Sequence, residues 1–444
     1  MLIVRERSPV SIIHAAQVQR AVGNRRNAPN GSRIEKAVKI RPLFPLVDES
    51  VNAWATEARL LRWLTFLWVL LGLVCLFSAS YASADADFGN GLYYVIRQGI
   101  WLLAGLVCFG VLVNTPLRMV LQIADWGMLL VLGLVMLTLV PGLGTTVNGA
   151  SRWLALGPLP ILQPSELIKP FLVLQSARVF GQWEQIRPPT RWLWLGIFAL
   201  LLGSILLQPN LSTAALCGML LWLVALAAGL PIVQLGGTAI AGFFLAVLSV
   251  SFRSYQRERI MSFLNPWADA TQNGYQLVQS LLAVASGGAL GQGYGMSQQK
   301  LDYLPIHFTD FIFSIYAEEF GLLGSLLLLL MLLAFATIGL RVALQATQRV
   351  HQLVAIGVVV LLVGQSLLNI GVATGALPTT GLPFPMFSYG GSSMIASLAA
   401  SGLLIRVARE NASANTVLPF VKGRSRGSSR RPSLPSASRG DRTS

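Results

Sequence analysis

Three arginines, Arg253, Arg257 and Arg259, precede Asp269 in the stretch FRSYQRERIMSFLNPWADATQNGYQLVQS. The polar interval then runs through SGGALGQGYG and QQKLDYLPIHFTD to Asp310. Guanidinium groups bind phosphate oxygens through charge-assisted, often bidentate hydrogen bonds. This set therefore suits a diphosphate, although arginines in such a place also anchor lipid headgroups. A carboxylate among them works as a general base if burial or a docked substrate tunes its pKa, and equally as a salt-bridged anchor. Turn formers on both sides, Asn265-Pro266 and Asn273-Gly274, predict a loop for Asp269. An ordinary solvated loop is the bland alternative, since most connections carry no chemistry.

Other candidates are scattered. Arg152, Glu166 and Lys169 lie close to apolar segments, where ionisable groups are costly and tend to be functional. Glu166 and Lys169 are three apart, so on a helix they share a face and can simply pair. Gln276 and the serines Ser388 and Ser392 of SYGGSS are polar candidates for substrate binding, and SYGGSS serves close helix packing equally well. The glycines Gly287, Gly288, Gly291, Gly293 and Gly295 have no Walker or dinucleotide pattern after them, so a flexible loop is expected. His307 has no second His or Cys nearby, and Cys75, Cys108 and Cys217 sit in apolar segments; no metal site or disulfide framework is visible.

These residues must be positioned by membrane helices. Of 444 residues, 54% are hydrophobic and 11% charged, the composition of a polytopic membrane protein. The net charge of +15 is concentrated at the two ends, which basic cytoplasmic tails explain better than nucleic acid. The expectation is an all-α integral membrane protein of about ten transmembrane helices. Spans are expected near 61–80, 95–113, 127–140, 170–180, 193–207, 211–228, 232–250, 311–340, 350–370 and 394–406. Both termini are cytoplasmic, and a large outer loop joins spans seven and eight. The polar loops after spans three, five, seven and nine then fall on one face and define one outward site. A short half-helix is expected from Pro164, and an outer polar turn holds Glu318 and Glu319. Residues 1–57 read as a mostly disordered basic tail without a cleavable signal peptide, 58–408 as the membrane domain, and 409–444 as a Ser/Arg/Pro-rich tail. An interfacial helix over 51–62 would let Trp54 and Leu60 touch the membrane while Arg59 and Arg62 face headgroups.

Six motifs occur in order: NGASRWLALG, QPSELIKP, SFLNPWADATQNGYQLVQS, GQGYGMSQQKLDYLP, TDFIFSIYAEEFGLLG and TGALPTTGLPFPMFSYGGSS. Together they resemble the SEDS family (shape, elongation, division and sporulation) over roughly residues 60–408. NPW-x-D and QKLDYLP lean toward its cell-division branch. The resemblance implies a ten-span glycosyltransferase that polymerises lipid II into glycan strands on the outer face of the bacterial plasma membrane, at the septum. It places the essential loop aspartate at Asp269, as the base that deprotonates the acceptor hydroxyl, and lets Arg152, Lys169 and Arg259 stabilise the leaving diphosphate. It implies a class B penicillin-binding protein and other divisome membrane proteins as partners. It leaves room for a divalent cation, Mg²⁺ or Mn²⁺, although no ligand cluster is visible. Two departures stand out: Ile306-His307 where many members have Glu-x-His, and Asn210 where many have Asp.

Two other functions compete. A lipid II flippase needs polar groups at midplane in several spans, whereas the polar groups here gather on one face. A non-catalytic division scaffold would have no use for Asp269.

Overall fold

The computed structural model describes residues 51, 54–147, 150–154, 162–272 and 274–424. Most of both expected tails lies outside the described residues. The chain is a helical bundle. In order come α1 (Thr56–Phe88), α2 (Tyr93–Asn114), α3 (Leu117–Leu137), a small hairpin of β1 (Gly144–Val147) and β2 (Ala150–Leu154), α4 (Pro164–Gly181), α5 (Pro188–Leu207), α6 (Leu211–Ala227) and α7 (Ile232–Phe252). There follow α8 (Ser254–Leu264), a 3₁₀ turn (Pro266–Asp269), α9 (Tyr275–Ser286), α10 (Ile312–Leu344), α11 (Arg349–Ala373) and α12 (Gly391–Arg424).

Eight of these helices are long and apolar enough to cross a membrane. Two more of the ten expected spans correspond to α4 and α6, of 18 and 17 residues. The central helix α4 is polar for a physical reason. It packs against α3, α6, α11 and α12, so Ser165, Glu166, Lys169, Gln175 and Ser176 are buried against protein and away from lipid. By contrast α7 buries only Leu235 and leaves Phe243 and Phe244 exposed, as lipid-facing side chains are. Small residues bring α12 close to α2: a Cβ on Gly402 would lie 3.2 Å from the Phe109 carbonyl oxygen.

Several boundaries differ from expectation. The residues SADADF continue α1 and are not loop. α3 begins ten residues before the expected Gly127, at Leu117, whose backbone N–H donates to Glu410 Oε1 at 2.8 Å. The expected half-helix at Pro164 and the fourth span form one helix, α4, running through Pro170. α12 continues to Arg424, into the segment expected as a tail. Trp54 and Arg62 do not face the bilayer surface. Both are buried, with Arg62 over the Trp54, Trp63 and Phe66 rings and Arg409 over Trp54 at 4.3 Å.

The glycine-rich run is not a flexible loop. α10 breaks at Gly321, which adopts φ 65°. The backbone groups freed there pair with the run: Gln292 and Gly293 donate to the Glu318 and Glu319 carbonyls at 2.9 and 3.1 Å, and Leu322 and Leu323 donate to the Gly288 and Ala289 carbonyls at 2.9 and 3.0 Å. A Cβ on Gly287 or Gly291 would lie 2.1 or 2.2 Å from backbone oxygens of α10. Glu318 and Glu319, expected on an outer turn, are buried inside α10. Glu318 accepts from Ser297 Oγ and from the Gln298 and Gln299 N–H groups, while Glu319 accepts from Ser78 at 2.5 Å and from Lys300 at 2.9 Å.

Candidate functional site

At the end of the bundle where these loops meet lies a cavity of about 1410 Å³. Drug-sized ligand sites span about 300–1,000 Å³, so this one suits a larger substrate. Residues from all four polar stretches line it: Arg152 and Glu166 after α3, Pro209, Asn210 and Thr213 after α5, Arg253, Arg259 and Gln276 after α7, and Gly381, Pro383 and the 389–393 segment after α11.

Each arginine is held differently. Arg152, on β2, donates through Nε and Nη2 to the Gln208 and Pro209 carbonyls at 3.2 and 2.6 Å. Burial lowers its pKa, and Arg259 lowers it further against the pull of Tyr255 and Asp310. Arg259, on α8, donates to the Thr379 carbonyl at 3.1 Å and to the Tyr255 hydroxyl, lying over that ring. Arg253 caps the junction of α7 and α8, and its Nη1 is buried without a hydrogen-bond partner. A buried donor of that kind asks for an acceptor.

Arg257 is exposed and does not line the cavity. Lys169 lies beneath Glu166, bound to its Oε1 at 2.5 Å and to Gln365 Oε1 at 3.0 Å, so it is not a lining residue. Ser388 is buried and pins a turn, donating to the Thr309 carbonyl and accepting from the Phe384 N–H at 2.8 Å. Ser392 accepts from the Gln163 N–H at 2.9 Å at the cavity wall. Asp269 ends the 3₁₀ turn, half-buried, and is not among the lining residues. That turn packs between α8, which carries Arg259, and α9, which carries Gln276. Gly274 closes it: a Cβ there would lie 2.2 Å from the Pro266 oxygen.

The two departures from family wording have local explanations. Asn210 caps α6, accepting from the Thr213 N–H at 3.3 Å, a role Asn and Asp fill alike. His307 is buried, with Nδ1 2.6 Å from the Leu304 carbonyl and Nε2 2.8 Å from that of Ala79. It ties the loop before α10 to α1.

The sequence reading missed Asp310, which lines the cavity beside Gly381 and Arg259. Withdrawal from bulk water pushes its carboxyl above the usual range, against the pull of Arg259, a Thr309 hydrogen bond and Arg152. It also missed Tyr94, Arg97 and Trp101 on α2. Arg97, a charge inside an expected span, was the available signal.

The fold and site define a class, a multi-pass helical membrane protein with one cationic cavity between loops at one end. The profile of the cell cycle protein family that groups FtsW, RodA and SpoVE matches residues 58–413. A Synechocystis protein named as a probable peptidoglycan glycosyltransferase FtsW is 56% identical over 384 residues, 86% of this chain and 97% of the relative. A chain of a solved peptidoglycan synthase complex, described as coordinating polymerization and crosslinking, superposes with a TM-score of 0.63 at 32% identity, covering 79% of this chain and 97% of its own. The Thermus thermophilus rod shape determining protein RodA gives a TM-score of 0.59 at 29% identity, with 79% and 96% covered. The chain belongs to the SEDS family.

Proposed function

We propose that the protein is a peptidoglycan glycosyltransferase that polymerises lipid II into glycan strands on the outer face of the bacterial plasma membrane, at the septum. The observation that carries this reading is the cavity itself: Arg152, Arg253 and Arg259 converge in it, and a buried Arg253 nitrogen there has no partner. A diphosphate supplies the acceptors that set needs. The names of the relatives point the same way.

In the proposed step, the acceptor sugar hydroxyl attacks the anomeric carbon of the lipid-linked strand. Its proton passes to Asp269, the anomeric C–O bond breaks, and the lipid diphosphate leaves with the electron pair. The arginines stabilise the charge that develops on it. For Asp269 to act, the 3₁₀ turn must bring it to the bound substrate. Lys169 contributes through Glu166 and Gln365, as support beneath the cavity. Among the described residues no three His, Cys, Asp or Glu come together as a cation site, and Glu166 is committed to Lys169. Mg²⁺ or Mn²⁺ would be held chiefly by the substrate diphosphate, beside the positive charge the arginines supply.

The partner that fits is a class B penicillin-binding protein, the transpeptidase that crosslinks the new strand, within the set of divisome membrane proteins. The match to a complex that joins polymerization to crosslinking supports this. The test is polymerisation of labelled lipid II by purified protein, with and without the cognate transpeptidase, comparing wild type with Asp269→Asn at matched fold. Strands from wild type alone support enzyme and base together. Strands from both leave the enzyme and overturn the base. Strands from neither, with the partner present, move the flippase or scaffold readings ahead.

A further inference from the structure

One wall of the cavity is used by none of the steps above. On α2, Tyr94, Arg97 and Trp101 stand at spacings of three and four, so they share one helix face, and all three line the cavity. Tyr389 and Phe308 complete the wall: the Tyr94 ring lies 5.0 Å from that of Tyr389 and 4.6 Å from that of Phe308, centroid to centroid. The wall is built, not incidental. Gln98 is fully buried and clamps the SYGG turn, donating to the Ser388 carbonyl at 3.3 Å and accepting from the Gly390 N–H at 3.2 Å. The Trp101 indole lies against Gly391, where a Cβ would be 2.2 Å from ring carbons. Glycine at 391 is therefore what lets the indole lie flat on the chain.

Polar groups sit at the ring edges. Arg97 lies over the neighbouring Tyr93 ring, 4.7 Å from its centroid, with the Tyr389 hydroxyl among its electrostatic neighbours.

We propose that this wall is a carbohydrate subsite that stacks the faces of uncharged pyranose rings on Trp101, Tyr94 and Tyr389, with Arg97 meeting the hydroxyls. A pyranose has an apolar C–H face and a polar rim, which matches rings with an apolar body and a polar tip. An isoprenoid chain fits less well, because it would strip water from two hydroxyls and a guanidinium without replacing their hydrogen bonds. The inference rests on the glycosyltransferase reading, to which it adds a division of labour: arginines for the diphosphate, aromatic rings for the sugars. The sugars belong either to the lipid-linked strand or to the acceptor.

The test is direct binding to the detergent-solubilised full chain, without turnover. One probe is the β-1,4-linked tetramer of N-acetylglucosamine, which has sugar and no diphosphate. The other is farnesyl diphosphate, which has diphosphate and no sugar. Losing one stacking ring weakens tetramer binding by roughly five- to tenfold in Trp101→Leu and Tyr389→Leu. Both variants keep farnesyl diphosphate affinity within about twofold. Trp101→Phe retains most tetramer binding, and Gly391→Val, which displaces the indole, behaves like Trp101→Leu. Arg152→Ala shows the reverse pattern, losing farnesyl diphosphate and keeping tetramer. Tetramer binding that is absent in wild type, unchanged in Trp101→Leu, or lost in step with farnesyl diphosphate overturns the proposal. Competition between tetramer and lipid II places the lipid-linked sugars on the wall, and simultaneous binding places the other strand's end there; either supports a sugar subsite. Because no turnover is needed, sugar binding that depends on Trp101 stands even if the protein fails to polymerise, and polymerisation with Trp101-independent binding sinks this inference alone.

Discussion

The Asn369 side-chain amide donates to the backbone carbonyl of Asp310 at 2.7 Å and to that of Leu382 at 2.9 Å. One turn earlier on α11, Gln365 accepts from Lys169 and donates to the Pro383 carbonyl at 2.7 Å. A π turn over Val360–Gly364 immediately precedes both, and such turns shift the register of side chains near functional sites. A single buried helix thereby fixes the loop before α10, the loop after α11 and the Glu166–Lys169 pair under the cavity.

Asn369→Leu removes both donors at once. Leaving buried carbonyls unpaired costs about 1–3 kcal/mol each, so thermal unfolding in detergent shifts down measurably. Polymerisation falls further than the lost folded fraction explains, because Asp310 and Gly381 lose their common anchor. An unshifted melting temperature would show that these bonds contribute nothing.

Asp310 predicts a pH dependence. Its folded-state pKa is raised, chiefly by withdrawal from water, so the native protein holds that proton more tightly than the unfolded chain. The contribution to stability is greatest with the carboxyl protonated. It declines as pH rises from the ordinary aspartate value of about 3.9 through the raised value. Asp310→Asn abolishes that decline. Melting temperatures of wild type and variant across this window check it: the two curves should diverge as pH rises, the variant holding its stability, and parallel curves would refute the shift.

Lys300 and Glu319 form a buried pair, at 2.9 Å, between the loop and α10. Lys300→Met leaves the Glu319 carboxylate buried with only Ser78, at about 3–5 kcal/mol for an uncompensated charge. Adding Glu319→Leu should recover most of that loss, since an apolar pair of similar volume is often neutral. A double variant as unstable as the single one, by denaturation in mild detergent, would point to the loop's polar contacts and not to the charge.

What the sequence made legible was the part that depends on hydropathy. Apolar runs located the spans, because hydropathy is an average over many residues. The convergence of four loops followed from counting spans. Individual side chains were less readable. Lys169 and Arg259 are both cations near a membrane, yet one is locked beneath Glu166 and the other lines the cavity, a difference made by packing. Trp101 was hidden inside an expected span and Tyr94 at its edge, where aromatic residues read as lipid contact. The glycine run read as flexible because its partner, the α10 break at Gly321, is 26 or more residues away from most of it and carries no local signal.

That partnership yields a contrast between identical substitutions. Gly321 combines φ 65° with a would-be Cβ 2.3 Å from the Gly291 nitrogen and 2.8 Å from the Leu290 carbonyl carbon. These are backbone atoms held by the hydrogen bonds that close the break, so they cannot yield cheaply. At ψ −162° this backbone is one that essentially only glycine adopts, so Gly321→Ala should cost more than the roughly 1–3 kcal/mol of that strain alone, with loss of the 288–293 contacts. Gly203 sits inside α5 with nothing within 4 Å of a Cβ. There Gly203→Ala should stabilise by about 0.5–1 kcal/mol, the helix-propensity difference. Melting temperatures of the two variants, measured in the same detergent, must therefore move in opposite directions. If both rise, the glycine run is not packed against α10 as described.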